Sequence, residues 1–83
     1  MKSIEQREKD IVGKYIIQAR MINLKRIIYL QDRNISNRGY WTNYISNARY
    51  WDNKKDAIEE CKNYKLGHPE VVIVNNKLNT EKI

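Results

Sequence analysis

The stretch Gly39–Asp52, GYWTNYISNARYWD, constrains the fold more than any other part of the chain. It holds both tryptophans, Trp41 and Trp51, and three of the six tyrosines, in an 83-residue sequence without phenylalanine. An aromatic side chain buries about 150–250 Å² when it is packed. A chain this short must therefore build its core on this segment or use it to bind something. Trp41 and Trp51, which bracket it, are the expected core anchors, because indoles are costly to leave in water. Tyr40, Tyr44 and Arg49 are the expected exposed members.

Eighty-three residues make one domain. A core of that size rarely supplies more than about 3–5 kcal/mol of net stability, so either a monomer or a homodimer fits the length. The single cysteine, Cys61, excludes an intramolecular disulfide and fits a reducing compartment. MKSIEQREKD at the start has no secretory pattern, and the longest apolar runs are four residues, too short to span a bilayer. A cytoplasmic protein without a membrane partner is expected.

Along the chain, residues 1–13 read as a short N-terminal helix or flexible arm. Ser3 and Gln6 have capping-box spacing, but before Val12 the only apolar side chains after Met1 are Ile4 and Ile11. Residues 14–76 form the α+β domain. KYIIQARM (14–21) alternates, with Tyr15, Ile17, Ala19 and Met21 on an inner face and Ile16, Gln18 and Arg20 outside. KRIIYLQ (25–31) is a second, more apolar and hence more central strand. The two make a hairpin across Ile22-Asn23-Leu24, where Asn23 suits a positive φ. DRNISNRG (32–39) is a loop by composition. Tyr40–Thr42 reads as a short strand, Asn43–Ala48 as a turn, and NKKDAIEECKNYK as a helix capped by Asp52 or Asn53 with Ala57, Ile58, Cys61 and Tyr64 or Lys65 on one stripe. Glu70–Asn75, EVVIVN, is a strand buried on both faces that pairs beside the first. Residues 77–83 read as a loose tail. The expected architecture is α+β: a three- to four-stranded, mainly antiparallel sheet in the order β-β-β-α-β, with one helix on one face.

The formal charge of +6 is concentrated rather than spread. Between Val12 and Trp51, Lys14, Arg20, Lys25, Arg26, Arg33, Arg38 and Arg49 face Asp32 alone, so this segment holds the whole excess and seven of the eight aromatics. Cations interleaved with rings can neutralise phosphates and stack on bases. The same residue types dominate protein interfaces. A solvated face over an ordinary core is the third reading. Arg20, Arg26, Arg33, Arg38, Tyr40, Tyr44 and Arg49 are the candidate binding residues.

Nothing in the sequence assembles a reaction. One cysteine and one histidine, Cys61 and His68, do not make a metal site. His68 has no nucleophile with motif context, and three scattered glycines build no phosphate loop. No enzyme, cofactor or metal is expected.

The succession Tyr15-Ile16-Ile17, Tyr29-Leu30, then WTNYISNARYWD running into a capped helix with Ala57, resembles small, mostly uncharacterised bacteriophage and prophage proteins. Their pattern is a strand pair, Trp-Thr or Trp-Ser, an Ile, Ala-Arg or Ala-Lys, an aromatic, and a helix carrying Ala. The resemblance runs roughly from Tyr15 to Val74. It departs at Trp51, where a smaller aromatic is usual, and in the basic 32–39 loop. It implies an α+β fold and an accessory role in phage–host interaction, with no inherited catalytic residues. The expected function is a non-enzymatic accessory protein that binds and blocks a host protein or protein–nucleic-acid complex, such as a defence nuclease in the manner of an anti-CRISPR inhibitor. RNA or single-stranded DNA binding, and a structural homodimer, are the alternatives.

Overall fold

The computed structural model describes residues 3–21, 23, 25–32, 40–65 and 67–83. Helix α1 (Ile4–Ile11) begins where Ser3 Oγ accepts the Gln6 N–H at 3.1 Å, the cap that the Ser3/Gln6 spacing predicts. Strands β1 (Tyr15–Met21) and β2 (Arg26–Leu30) form the expected antiparallel hairpin. Lys25, rather than the more permissive Asn23, takes the left-handed conformation in their connection, with φ 51°. The aromatic segment then supplies β3 (Trp41–Thr42), a 3₁₀ turn at Ile45–Asn47 and β4 (Tyr50–Trp51). Helix α2 (Lys54–Cys61) starts at Asn53, whose Oδ1 accepts the Lys55 N–H at 2.8 Å. Strands β5 (Glu70–Val74) and β6 (Thr80–Lys82) complete the chain.

The sheet has six strands among the described residues, in the order β3-β2-β1-β5-β6, with β4 also paired to β1. β1 is therefore the central strand, although the composition favours β2. β5 lies along one edge of β1, pairing Tyr15–Gln18 with Ile73–Glu70. The other edge is shared: β2 takes Gln18–Met21, and β4 takes Tyr15 and Ile16. β4 fits there because β2 diverges after Leu30, whose carbonyl accepts the Arg49 N–H at 2.8 Å.

Both faces of the sheet are covered. On one face Ile11 of α1 joins Ile16, Ala48, Val72 and Val74, with Tyr29, Ile45, Tyr50 and Leu78 at the margin. On the other, Ala57 of α2 joins Ile17, Leu30 and Val71, flanked by Tyr15, Trp41, Trp51, Cys61 and Tyr64. The α+β class and antiparallel sheet agree with the sequence reading; three to four strands and a single helix do not. β1 shows the consequence. Ile16 and Gln18, expected outside, are 0% and 7% exposed, whereas Met21, expected inside, is 41% exposed. Gln18 tolerates burial because its Nε2 donates to Glu70 Oε1 and its Oε1 accepts from Thr80 Oγ1, each at 2.9 Å. The Thr80 bond and the pairing of β6 with β5 make Thr80–Lys82 a docked strand instead of the expected loose tail.

Gly67 fastens the segment after α2 to β1. Its carbonyl accepts the Arg20 N–H at 2.8 Å, and its φ is +76°. A Cβ there would lie 2.6 Å from the Arg20 carbonyl oxygen and 3.1 Å from Ala19 Cβ. The left-handed conformation alone costs an L-residue about 1–2 kcal/mol, and crowding against backbone adds a similar amount. Gly67→Ala is accordingly expected to lower stability by about 3 kcal/mol in urea titration. Gly13→Ala, at φ +80° with nothing within 4 Å, should lose only the conformational part.

Candidate functional site

The aromatic segment is largely absorbed by the fold. Trp41 meets Tyr64 edge-on, with ring centroids 5.6 Å apart, and Tyr40 leans on the same tyrosine at 6.4 Å. Arg49 lies over the Trp51 ring, 4.8 Å from its centroid, and its Nη1 is 3.7 Å from Glu60 Oε1 on α2. That stack closes β4 onto the second helix and engages Arg49 within the molecule. Trp41 and Trp51, expected as core anchors, are half-buried at the margin of the second core cluster. Tyr40 and Tyr44 remain 59% and 68% exposed. They have different surroundings, since Tyr40 contacts Tyr64 whereas Tyr44 borders a groove beside α1.

Two of the candidate arginines lie at the hairpin end, on opposite faces of the sheet. The register of the hairpin sets Arg20 opposite Ile27 and Met21 opposite Arg26. Neighbouring positions on a strand point to opposite faces. Each face of the hairpin end therefore carries one arginine beside one apolar side chain. All four are exposed, Met21 at 41% and Ile27 at 43%, and Lys25 adds a further exposed cation. Among the described residues, Arg20, Lys25 and Arg26 make no ion pair. Arg33 and Arg38, with all of the expected 32–39 loop after Asp32, lie outside the described residues. The cross-strand pairing of cation with apolar side chain is what sequence reasoning missed; an exact hairpin register was the signal needed to find it.

Two of the grooves among the described residues lie beside the helices. One, of about 500 Å³, runs between α1 and the 3₁₀ turn and is lined by Ile4, Tyr29, Tyr44 and Ile45 among others. The second, of about 650 Å³, lies beside the C-terminal end of α2 and is lined by Ile58, Cys61, Lys65, His68, Val71 and Lys82 among others. Burial, reinforced by the nearby Glu70 charge, pushes the Cys61 thiol above its ordinary range, which keeps it protonated and lowers its nucleophilicity. No group of three or more His, Cys, Asp or Glu side chains among the described residues could hold a metal ion. No helix among them is long and apolar enough to cross a membrane.

Three titrations share one sign. Burial raises Tyr29, burial and the Glu70 charge raise Cys61, and the Asp52 hydrogen bond and charge raise Lys14. Each group holds its proton more tightly folded than unfolded, so its contribution is complete below its unfolded pKa and is lost as pH rises toward the folded one. Urea midpoints should fall as pH climbs through the thiol range and into that of phenols and ammonium groups. Lys14 adds least, because its pair with Asp52 is exposed and screened. Combining Cys61→Ala with Tyr29→Phe should flatten the decline; an unchanged slope would contradict these assignments.

Compared with protein-family models, with curated proteins and with solved structures, the chain has no match.

Proposed function

We propose that the chain is a non-enzymatic binding protein whose hairpin end docks on an acidic, partly apolar surface of a partner protein. It acts in the manner of a small phage or mobile-element accessory protein that occupies and blocks a site on a host machine. One observation carries this reading: Arg20–Ile27 and Met21–Arg26 place a cation beside an exposed apolar side chain on each face of the hairpin end. Interfaces of proteins combine a desolvated apolar centre with arginine in this way. Binding of single-stranded nucleic acid favours ring faces set along a cationic groove. Here both tryptophans pack against the fold.

The test is capture of partners from a host lysate with and without nuclease. The expected result is a protein partner that survives nuclease treatment, with affinity reduced about 100-fold by Arg20→Glu/Arg26→Glu. Retention only before nuclease would overturn the reading in favour of nucleic acid. So would RNA filter binding with a log–log salt slope of about −0.7 per phosphate contact.

A further inference from the structure

We propose that the outer edge of β2 at Arg26–Ile28 is a lane for strand addition by an extended acidic segment of the partner. This rests on the reading of the hairpin end as the docking surface and adds to it the backbone geometry and the partner's chemistry. β3 covers only part of β2, pairing Tyr29 with Thr42 and Leu30 with Trp41, while Gln31 N–H donates to the Tyr40 carbonyl at 2.7 Å. In an antiparallel strand, N–H and C=O of one residue point to the same edge and alternate along the chain. Gln31 and Tyr29 therefore face β3, and Ile27 turns its N–H and C=O to the same edge. Leu30 obeys the alternation, since its carbonyl accepts from Arg49 on the opposite side. Among the described residues, no strand pairs with Ile27 on that edge.

The lane is vacated by a specific bond. Continuing the β3 register would bring Asn43 and Tyr44 opposite Ile28 and Ile27. Instead the Tyr44 N–H donates to Thr42 Oγ1 at 3.2 Å, and the chain turns into Ile45–Asn47. A strand entering this lane would set an apolar side chain beside Ile27, on the face that also carries Arg20. Its next residue, on the other face, would lie beside Arg26, where a carboxylate fits. Exposed strand edges accept peptides in this way, with main-chain bonds giving affinity and alternate side chains giving selectivity.

Charge chooses the occupant. A second copy paired edge to edge here would bring two sets of Arg20, Lys25 and Arg26 into one seam, and like charges across strands repel. At the opposite edge of the sheet, β6 exposes Glu81 beside Lys82 and so selects neither sign.

The test adds a short synthetic peptide of alternating glutamate and valine to the full chain and follows amide hydrogen exchange by NMR. Protection of the Ile27 N–H by about tenfold or more is expected. A peptide N-methylated along one edge and a lysine-for-glutamate counterpart should both fail to protect it. Ile27→Pro, which removes the outward N–H and fixes φ, should abolish the peptide-induced shifts of the neighbouring Arg26 and Ile28 amides with the fold retained. If that variant does not fold, the N-methylated peptide still decides. Equal binding of the N-methylated peptide, or protection at Glu81 in place of Ile27, would overturn the proposal while leaving charge docking at the hairpin intact. Ile27 protection that rises with protein concentration without peptide would overturn it in favour of a second copy. Retention of the natural partner by Arg20→Glu/Arg26→Glu would instead defeat the docking reading itself.

Discussion

Replacing Ile16 with alanine is expected to lower the unfolding free energy by about 2–5 kcal/mol, close to the whole net stability of a domain this size. Ile16 is 0% exposed at the centre of the sheet, with Val72 across one ladder and Tyr50 across the other. Ile11 covers it from α1. Strands on both sides hold the β1 backbone in place, so the cavity left by the lost side chain has little room to collapse. Ile58→Ala provides the control, because that side chain is 37% exposed and should cost about 1 kcal/mol or less. Urea titration of the two variants makes the comparison. A sheet covered on one face only would leave Ile16 outside and make the two substitutions alike.

Ile11→Asp should do more damage still. The side chain is 1% exposed in the same cluster as Ile16, Ala48, Val72 and Val74. A carboxylate there must be buried without a counter-ion or must drive α1 off the sheet, exposing that cluster to water. Either outcome costs several kcal/mol, about as much as the domain has. Collapsed dispersion in the amide spectrum is the expected readout. A folded variant in which only residues before Gly13 are perturbed would mean that the segment is the flexible arm its sparse apolar content suggests.

These two substitutions mark the limit of what the residue pattern reveals. The hairpin, the cap at Asn53, the existence of β5 and the turn after Thr42 follow from local signals: alternation, a side-chain cap, a β-branched run and helical spacing of Ile45 and Ala48; that β5 lies beside β1 is not fixed by any of them. α1 follows only in part: the Ser3/Gln6 spacing marks its start, but its docking does not show, because a single buried side chain, Ile11, attaches it to the core and one residue creates no period. β4 and β6 are two and three residues long, too short for alternation to register. Gln18 reads as a solvent-facing residue until Glu70 and Thr80, 52 and 62 positions away, supply its hydrogen bonds.

The candidate site divides along the same line. Exposure of Tyr40 and Tyr44, and packing of Trp41 and Trp51, follow from their order around the turn. Arg49 belongs to the basic segment by position, yet its surroundings, the Trp51 ring and Glu60, are set by how β4 meets α2. Arg20 and Arg26 become a surface together with Met21 and Ile27 only once the strand register is known. The aromatic segment thus organises the fold, and the proposed recognition surface lies at the other end of β2.

That separation is tested most directly by measuring the affinity of two double variants for the partner captured after nuclease treatment. Arg20→Glu/Arg26→Glu changes the hairpin end, and Tyr40→Ala/Tyr44→Ala removes the exposed rings of the aromatic segment. The expected result is an affinity loss of about 100-fold for the first and less than about threefold for the second, with both folded. Loss of binding on removing the tyrosines, with the charge-reversed hairpin binding as wild type, would contradict the account.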